Sequence, residues 1–225
     1  MPWYFALPIV TLLAVLPFFL RAEYQRRRSV MLPLKLVCSL CFVLLGVFGA
    51  VIGRAGPVAA YDGLMLAGLV LSLAGDMLLG WSLERRTFLL GLVAFLVAHL
   101  LYSTAFSLAN GFSAWDLLIM AVVAGGCVAA YQFLDMDLGK MKIPVLVYLL
   151  VISFMLTKAF SSLYLGGITG AALWLVVIGA VLFFVSDALL ALVKFQRNPA
   201  RANRAMNLTA YYIGQTLLAL SLYFF

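Results

Sequence analysis

Residues 88–106 read FLLGLVAFLVAHLLYSTAF, a run that is apolar on every side of a helix and carries no charged residue. A bilayer core of about 30 Å takes roughly 20 such residues as one helix. A membrane β-barrel would instead show alternating apolar and polar positions over segments of about ten. This run belongs to a span over 88–108, and the same character recurs at 3–20, 31–52, 63–81, 116–134, 143–160, 170–192 and 205–225. The expectation is an all-α, polytopic membrane protein with eight transmembrane helices. Ser161, Ser162, Gly166, Gly167 and Gly170 mark a turn near 161–170 between two spans rather than one long helix. No basic stretch precedes the first apolar run and no small-residue cleavage site follows it, so that run reads as a retained span.

Composition agrees with the patterning. Of 225 residues, 66% are hydrophobic and 10% charged, against about 25% charged in soluble domains. A water-soluble globule is excluded, and the chain reads as one helical-bundle domain over 1–225. Any chemistry must therefore use residues inside the bundle or at its rim. The net charge of +7 sorts by loop. Arg21, Arg26, Arg27, Arg28, Arg85, Arg86, Lys140, Lys142, Lys194, Arg197, Arg201 and Arg204 follow spans one, three, five and seven, while the alternate loops hold only Arg54. The positive-inside rule places the basic loops in the cytoplasm and both termini on the other side. Topology and contact with anionic headgroups account for this charge, so no nucleic-acid binding is expected. The compact loops point to a bacterial cytoplasmic membrane. Cys38, Cys41 and Cys127 lie in apolar spans without His or carboxylate partners nearby in sequence, and read as small packing residues rather than a metal site.

An offset of 111 residues superimposes Pro33 on Pro144, Gly68 on Gly179, Asp76 on Asp187 and Arg86 on Arg197. The third and seventh spans align best, as LAGLVLSLAGDMLLG (66–80) and VIGAVLFFVSDALLA (177–191). Four spans per half would give a parallel repeat, with halves 1–114 and 115–225.

Charged residues inside a bilayer are costly, and usually face the bundle interior or an aqueous cavity. Asp76 and Asp187 each lie roughly 7 to 8 Å from the cytoplasmic end of their spans at 1.5 Å per residue, at matching depth in the repeat. Lys35 and Tyr148 enter from the same side. Asn203, Asn207, Tyr211 and Gln215 recur every four residues and draw one polar stripe down the last span. His99, the chain's one histidine, and Tyr102 lie a turn apart nearer the midplane, where they would floor the same cavity. Each residue also has a plainer reading. Polar side chains can simply tie helices together, Lys35 can snorkel to the interface, and Lys158, near the outer end of its span, is expected to do so. No Walker loop, GxGxxG turn, HExxH helix or GxSxG elbow occurs.

SLAGDMLLG (72–80), FLVAHLLY (95–102), FVSDALLAL (184–192) and YYIGQTLLAL (211–220) together resemble the YhhN-like lysoplasmalogenases, over nearly the whole chain. One departure is that Leu36, not proline, follows Lys35. The resemblance implies a membrane hydrolase that cleaves the vinyl-ether bond of a 1-alkenyl lysophospholipid, releasing a fatty aldehyde and glycerophosphoethanolamine or glycerophosphocholine. Vinyl ethers hydrolyse by protonation at the β-carbon, giving an oxocarbenium ion that water captures. The reaction needs an acid and a negative partner, and neither metal nor cofactor. Two carboxyls divide such work in glycosidases. Asp76 and Asp187 are the candidate pair, with the assignment of roles between them open. Tyr148, Tyr211 and Gln215 would orient water or the ether oxygen, His99 would relay a proton, and Lys35 would meet the substrate phosphate. The alternatives are a proton-coupled transporter or lipid carrier using the same Asp pair, and a bundle that only binds partners.

Overall fold

The computed structural model describes residues 2–52, 59–81, 84–134 and 136–225; Arg54, the one basic residue assigned to the opposite loops, lies outside them. The chain is all-α. A 3₁₀ turn, Trp3–Phe5, leads into α1 (Ala6–Tyr24), followed by α2 (Arg28–Val47), α3 (Ala60–Trp81), α4 (Arg85–Asn110), α5 (Ala114–Phe133), α6 (Lys142–Leu165), α7 (Gly170–Phe195) and α8 (Arg201–Phe224). Seven of these helices, all but α8, are long and apolar enough to cross a membrane.

Most helices outrun the apolar windows that announce them. α7 continues to Phe195 and α1 to Tyr24, so the α1–α2 connection shrinks to residues 25–27. The added residues include Arg, Glu and Lys, whose unbranched side chains favour helix and reach past the hydrocarbon to the interface. α6 runs through Ser161 and Ser162 and stops at Gly166, which adopts φ +74° as a left-handed cap. The expected turn is therefore present, shifted to the glycines.

α8 owes its exception to its position. It packs against α1, α2, α3 and α7, and buries Asn207, Tyr211, Tyr212 and Gln215. A helix enclosed by other helices need not be apolar, because its polar side chains find protein partners instead of lipid. Glycines permit the closest approach. A Cβ on Gly179 of α7 would lie 3.0 Å from the Gly214 carbonyl oxygen of α8, and one on Gly214 would lie 2.9 Å from that of Gly179. The two backbones touch where any side chain would separate them.

α5 is the opposite case: its one buried residue is Asp116. That carboxylate accepts hydrogen bonds from Lys158 Nζ at 2.9 Å and Ser161 Oγ at 2.6 Å, and a short one from Tyr164. Lys158 is fully buried, donates also to the Gly111 carbonyl at 2.6 Å, and lies 4.5 Å above the Phe112 ring. The expected snorkelling of Lys158 is thus overturned, because an anion on the neighbouring helix offers the ammonium a partner inside the protein. This cluster pins the N-terminus of α5 to α6. Asp116→Ala is expected to lower stability by about 3 kcal/mol or more, since it leaves Lys158 buried without its anion. The Asp116→Leu/Lys158→Met double variant should recover most of that loss. Thermal unfolding in detergent checks both; equal losses in the single and double variants would contradict the pairing.

Candidate active site

At the end of the bundle carrying the α1–α2 and α7–α8 connections, six helices line a chamber of about 70 Å³. Asp76 of α3 and Asp187 of α7 both line it, with Lys35, Asn207 and Tyr211. A polar space of that size has room for ordered water. The chamber shares walls at Glu23, Met31, Leu79, Gly80, Val193, Arg204 and Leu208 with a groove of about 720 Å³, which falls within the usual size of ligand pockets.

The two carboxyls have different surroundings. Asp76 is 2% exposed and fully engaged: Lys35 Nζ lies 3.0 Å from Oδ1, and Oδ2 accepts from Ser39 Oγ at 2.6 Å and Tyr211 OH at 2.7 Å. Lys35 is itself 7% exposed. The expectation that it snorkels, or waits at the rim for a phosphate, gives way to an internal ion pair, because Asp76 on the adjacent helix lies within its reach. Tyr212 OH, 3.3 Å from Ser39 Oγ, extends this network.

Asp187 has no ammonium or guanidinium partner among the described residues. Tyr148 OH donates to its Oδ2 at 2.5 Å, and His99 Nε2 lies 3.5 Å from the same oxygen. His99 Nδ1 is 2.6 Å from the Phe95 carbonyl. A carbonyl oxygen only accepts, so Nδ1 carries a hydrogen. Neutral His99 then turns the lone pair of Nε2 toward Asp187, and Nε2 is a buried nitrogen without a hydrogen-bond partner among the described residues. Phe183 separates the two clusters, its ring 4.5 Å from that of His99 and 5.5 Å from that of Tyr211.

Other expected residues are dispersed. Asn207 lines the chamber but spends its amide on Ser186, at 2.7 Å to the carbonyl and 3.0 Å to the hydroxyl, clamping α8 to α7. Tyr102 donates to Gln215 Oε1 at 3.0 Å, one turn beyond Tyr211 on α8. Neither of these two lines the chamber, so they tie α4 to α8 beneath it. Asn203 sits partly exposed in the first turn of α8. Sequence reasoning missed Ser39, Tyr212 and Glu23, since nothing local marks a serine or a helix-end glutamate as a partner for residues far along the chain. Cys38 and Cys41 are buried free thiols.

A family model described as the YhhN family matches residues 30–222. Similar curated proteins include lysoplasmalogenase TMEM86A of Bos taurus, 37% identical over 161 residues (70% of this chain, 64% of the relative), and lysoplasmalogenase TMEM86A of Homo sapiens, 35% identical over 159 residues (70% and 64%). Lysoplasmalogenase TMEM86B of Mus musculus is 32% identical over 220 residues, 88% of each chain. The chain thus spans slightly less than two thirds of the bovine and human relatives. No solved structure matches.

The ion pair invites a double-mutant cycle. Lys35→Met leaves Asp76 charged in the core, whereas Lys35→Met/Asp76→Asn does not. The single variant is expected to unfold at lower temperature than the double, with a coupling of about 1 to 3 kcal/mol. Additive effects would contradict the pair.

Proposed function

The chain belongs to the YhhN family, and on that premise we propose that it is a membrane hydrolase cleaving the vinyl-ether bond of lysoplasmalogens, with Asp187 as the acid and Asp76 as the ionised partner. The observation that carries the reading is the unlike environment of two carboxyls on one chamber. Asp76 accepts from an ammonium and two hydroxyls, a shell that suits only the anion. Asp187 faces the lone pair of His99 Nε2. With a hydrogen on Nδ1, Nε2 of a neutral His99 and an oxygen of an ionised Asp187 would present lone pairs to each other at 3.5 Å, an opposition that a proton on Asp187 relieves, and the proposal places the proton there.

In the proposed reaction this proton passes from Asp187 to the β-carbon of the vinyl ether. The C=C electron pair forms the new C–H bond, and positive charge develops on the ether oxygen and its neighbouring carbon. Asp76 stabilises that charge. Because Lys35 shares the charge of Asp76, it acts through an ion pair, which weakens its pull on the cation but lets the bilayer hold the anion at all. Water from the chamber adds to the cationic carbon and gives a proton back to Asp187 or His99. The hemiacetal then collapses, its hydroxyl proton leaving as the glycerol oxygen is reprotonated, to yield aldehyde and glycerophospho-headgroup. Tyr148 fixes Asp187, and Tyr211 fixes Asp76.

We also take α8 as an eighth span, its polar stripe covered by neighbours, and the chain as one bundle of two parallel halves. What supports the repeat is how each carboxyl is held. Asp76 of α3 is met from α2 and α8, and Asp187 of α7 from α6 and α4; the 111-residue shift exchanges these helices. The chamber's mouth then lies at the basic, cytoplasmic end of a bacterial inner-membrane protein, with both termini outside.

The purified protein should release aldehyde from a 1-alkenyl lysophospholipid, and none from the 1-acyl or 1-alkyl analogue. In D₂O, the aldehyde should carry one deuterium at the carbon next to the carbonyl after immediate reductive trapping. Asp187→Asn should lower kcat by about 10²- to 10⁴-fold and Asp76→Asn by at least about 10²-fold, with little change in KM. No aldehyde from any substrate overturns the enzyme reading, and proton-dependent uptake in its place supports a carrier. Full activity in both variants overturns the mechanism.

A further inference from the structure

We propose, resting on the hydrolase reading, that the mouth of the chamber is a subsite for a zwitterionic headgroup, in which Arg204 takes the phosphate and Glu23 takes the headgroup ammonium. Glu23 of α1 and Arg204 of α8 form an ion pair across the opening, and both line the inner chamber and the outer groove. The Glu23 side chain is 10% exposed and that of Arg204 50%. The carboxylate is therefore withdrawn from water and depends on its cation, while the guanidinium already reaches outward.

A lipid headgroup entering here meets a closed pair. An anion alone would capture Arg204 and strip the largely buried Glu23 carboxylate of its ion-pair partner, which is costly. A zwitterion replaces both partners at once: its phosphate substitutes for the carboxylate at Arg204, and its ammonium substitutes for the guanidinium at Glu23. Net charge in the mouth is unchanged, so the site selects by penalising the wrong headgroup as well as by binding the right one. Guanidinium groups suit phosphate because they present paired donors.

The spacing fits the substrate. Arg204 is seven residues from Tyr211, Lys194 seven from Asp187, and Arg28 seven from Lys35. Seven residues are two helical turns, about 10 Å along the axis and nearly on the same face. The ether carbon and the phosphorus of a lysophospholipid are separated by the glycerol backbone, roughly 7 Å at ordinary bond lengths, and a hydrogen bond adds about 3 Å. A headgroup held by Arg204 thus sets the vinyl ether at the depth of the two carboxyls.

Arg26 gives an independent observation. It closes α1 in a Schellman arrangement, its N–H bonded to the Glu23 carbonyl and that of Arg27 to the Ala22 carbonyl, both at 3.0 Å. Its φ of +55° places a bulky side chain where glycine fits more easily, and that side chain lines the groove together with Arg28. A position that prefers glycine for the fold is filled by a cation beside the phosphate path.

The test uses uncleavable 1-alkyl lysophospholipids, so that binding is read without turnover, on the full-length detergent-solubilised protein. One probe carries phosphoethanolamine and the other a bare phosphate on the same chain. Wild type should bind the phosphoethanolamine probe more tightly. Glu23→Gln should weaken that probe by about tenfold or more and leave the bare-phosphate probe unchanged or tighter, because Arg204 is released. Arg204→Gln should weaken both. Arg26→Gly should weaken both severalfold while the unfolding temperature holds or rises, a separation that a purely structural arginine would not show. Equal effects of Glu23→Gln on the two probes, or Arg204→Gln binding both as wild type, would overturn the subsite. Aldehyde release from the 1-alkenyl substrate is assayed alongside; its absence counts against the hydrolase reading alone, since the binding comparison still decides the subsite.

Discussion

A bilayer does not tolerate an uncompensated charge, and in this bundle the acids at Asp116, Asp76, Asp187 and Glu23 are each met from another helix. Asp116 holds α5 to α6, Asp76 joins α3 to α2 and α8, Asp187 touches α6 and α4, and Glu23 bridges α1 to α8. Hydrophobic burial distinguishes little between helices in lipid, because the tails are as apolar as the side chains. Polar pairing and close contact, as at Gly179 and Gly214, therefore decide which helix lies beside which. The residues that would carry chemistry are also the ones that order the helices around the chamber.

The two ends of the bundle put the same kind of pair to different uses. At the α5–α6 corner the Asp116 carboxylate is saturated by an ammonium and hydroxyls, and it lines neither the chamber nor the groove. At the other end Asp76 is saturated in a similar way, yet it shares a water-sized chamber with an acid that is not. The difference lies in Asp187, whose neighbours are a hydroxyl and an imidazole lone pair instead of a cation. In the proposed reaction, that asymmetry between two residues 111 positions apart gives the site its acidic and its anionic side.

Much of this was legible in the sequence. Apolar runs gave the helices, basic loops marked the mouth, and Asp76, Asp187, Lys35, Tyr148, His99 and Tyr211 stood out because lipid disfavours them. What stayed hidden was pairing. Lys158 read as a snorkelling cation and Lys35 as a phosphate contact or a snorkelling cation, since a sequence shows the depth of an ammonium but not the anion on the next helix. Tyr102 and Gln215 read as site residues, although they bond to each other below the chamber. α8 is too polar to pass as a span by its hydropathy, and its enclosure by α1, α2, α3 and α7 supplies the reason.

The proposed chemistry turns on Asp187 carrying a proton at neutral pH while Asp76 does not. Infrared spectroscopy of the protein in lipid reads this directly, through the carbonyl stretch of a protonated carboxyl at pH 7. Such a band is expected in wild type, retained in Asp76→Asn and lost in Asp187→Asn. A band lost only in Asp76→Asn, or unchanged in both variants, would contradict it.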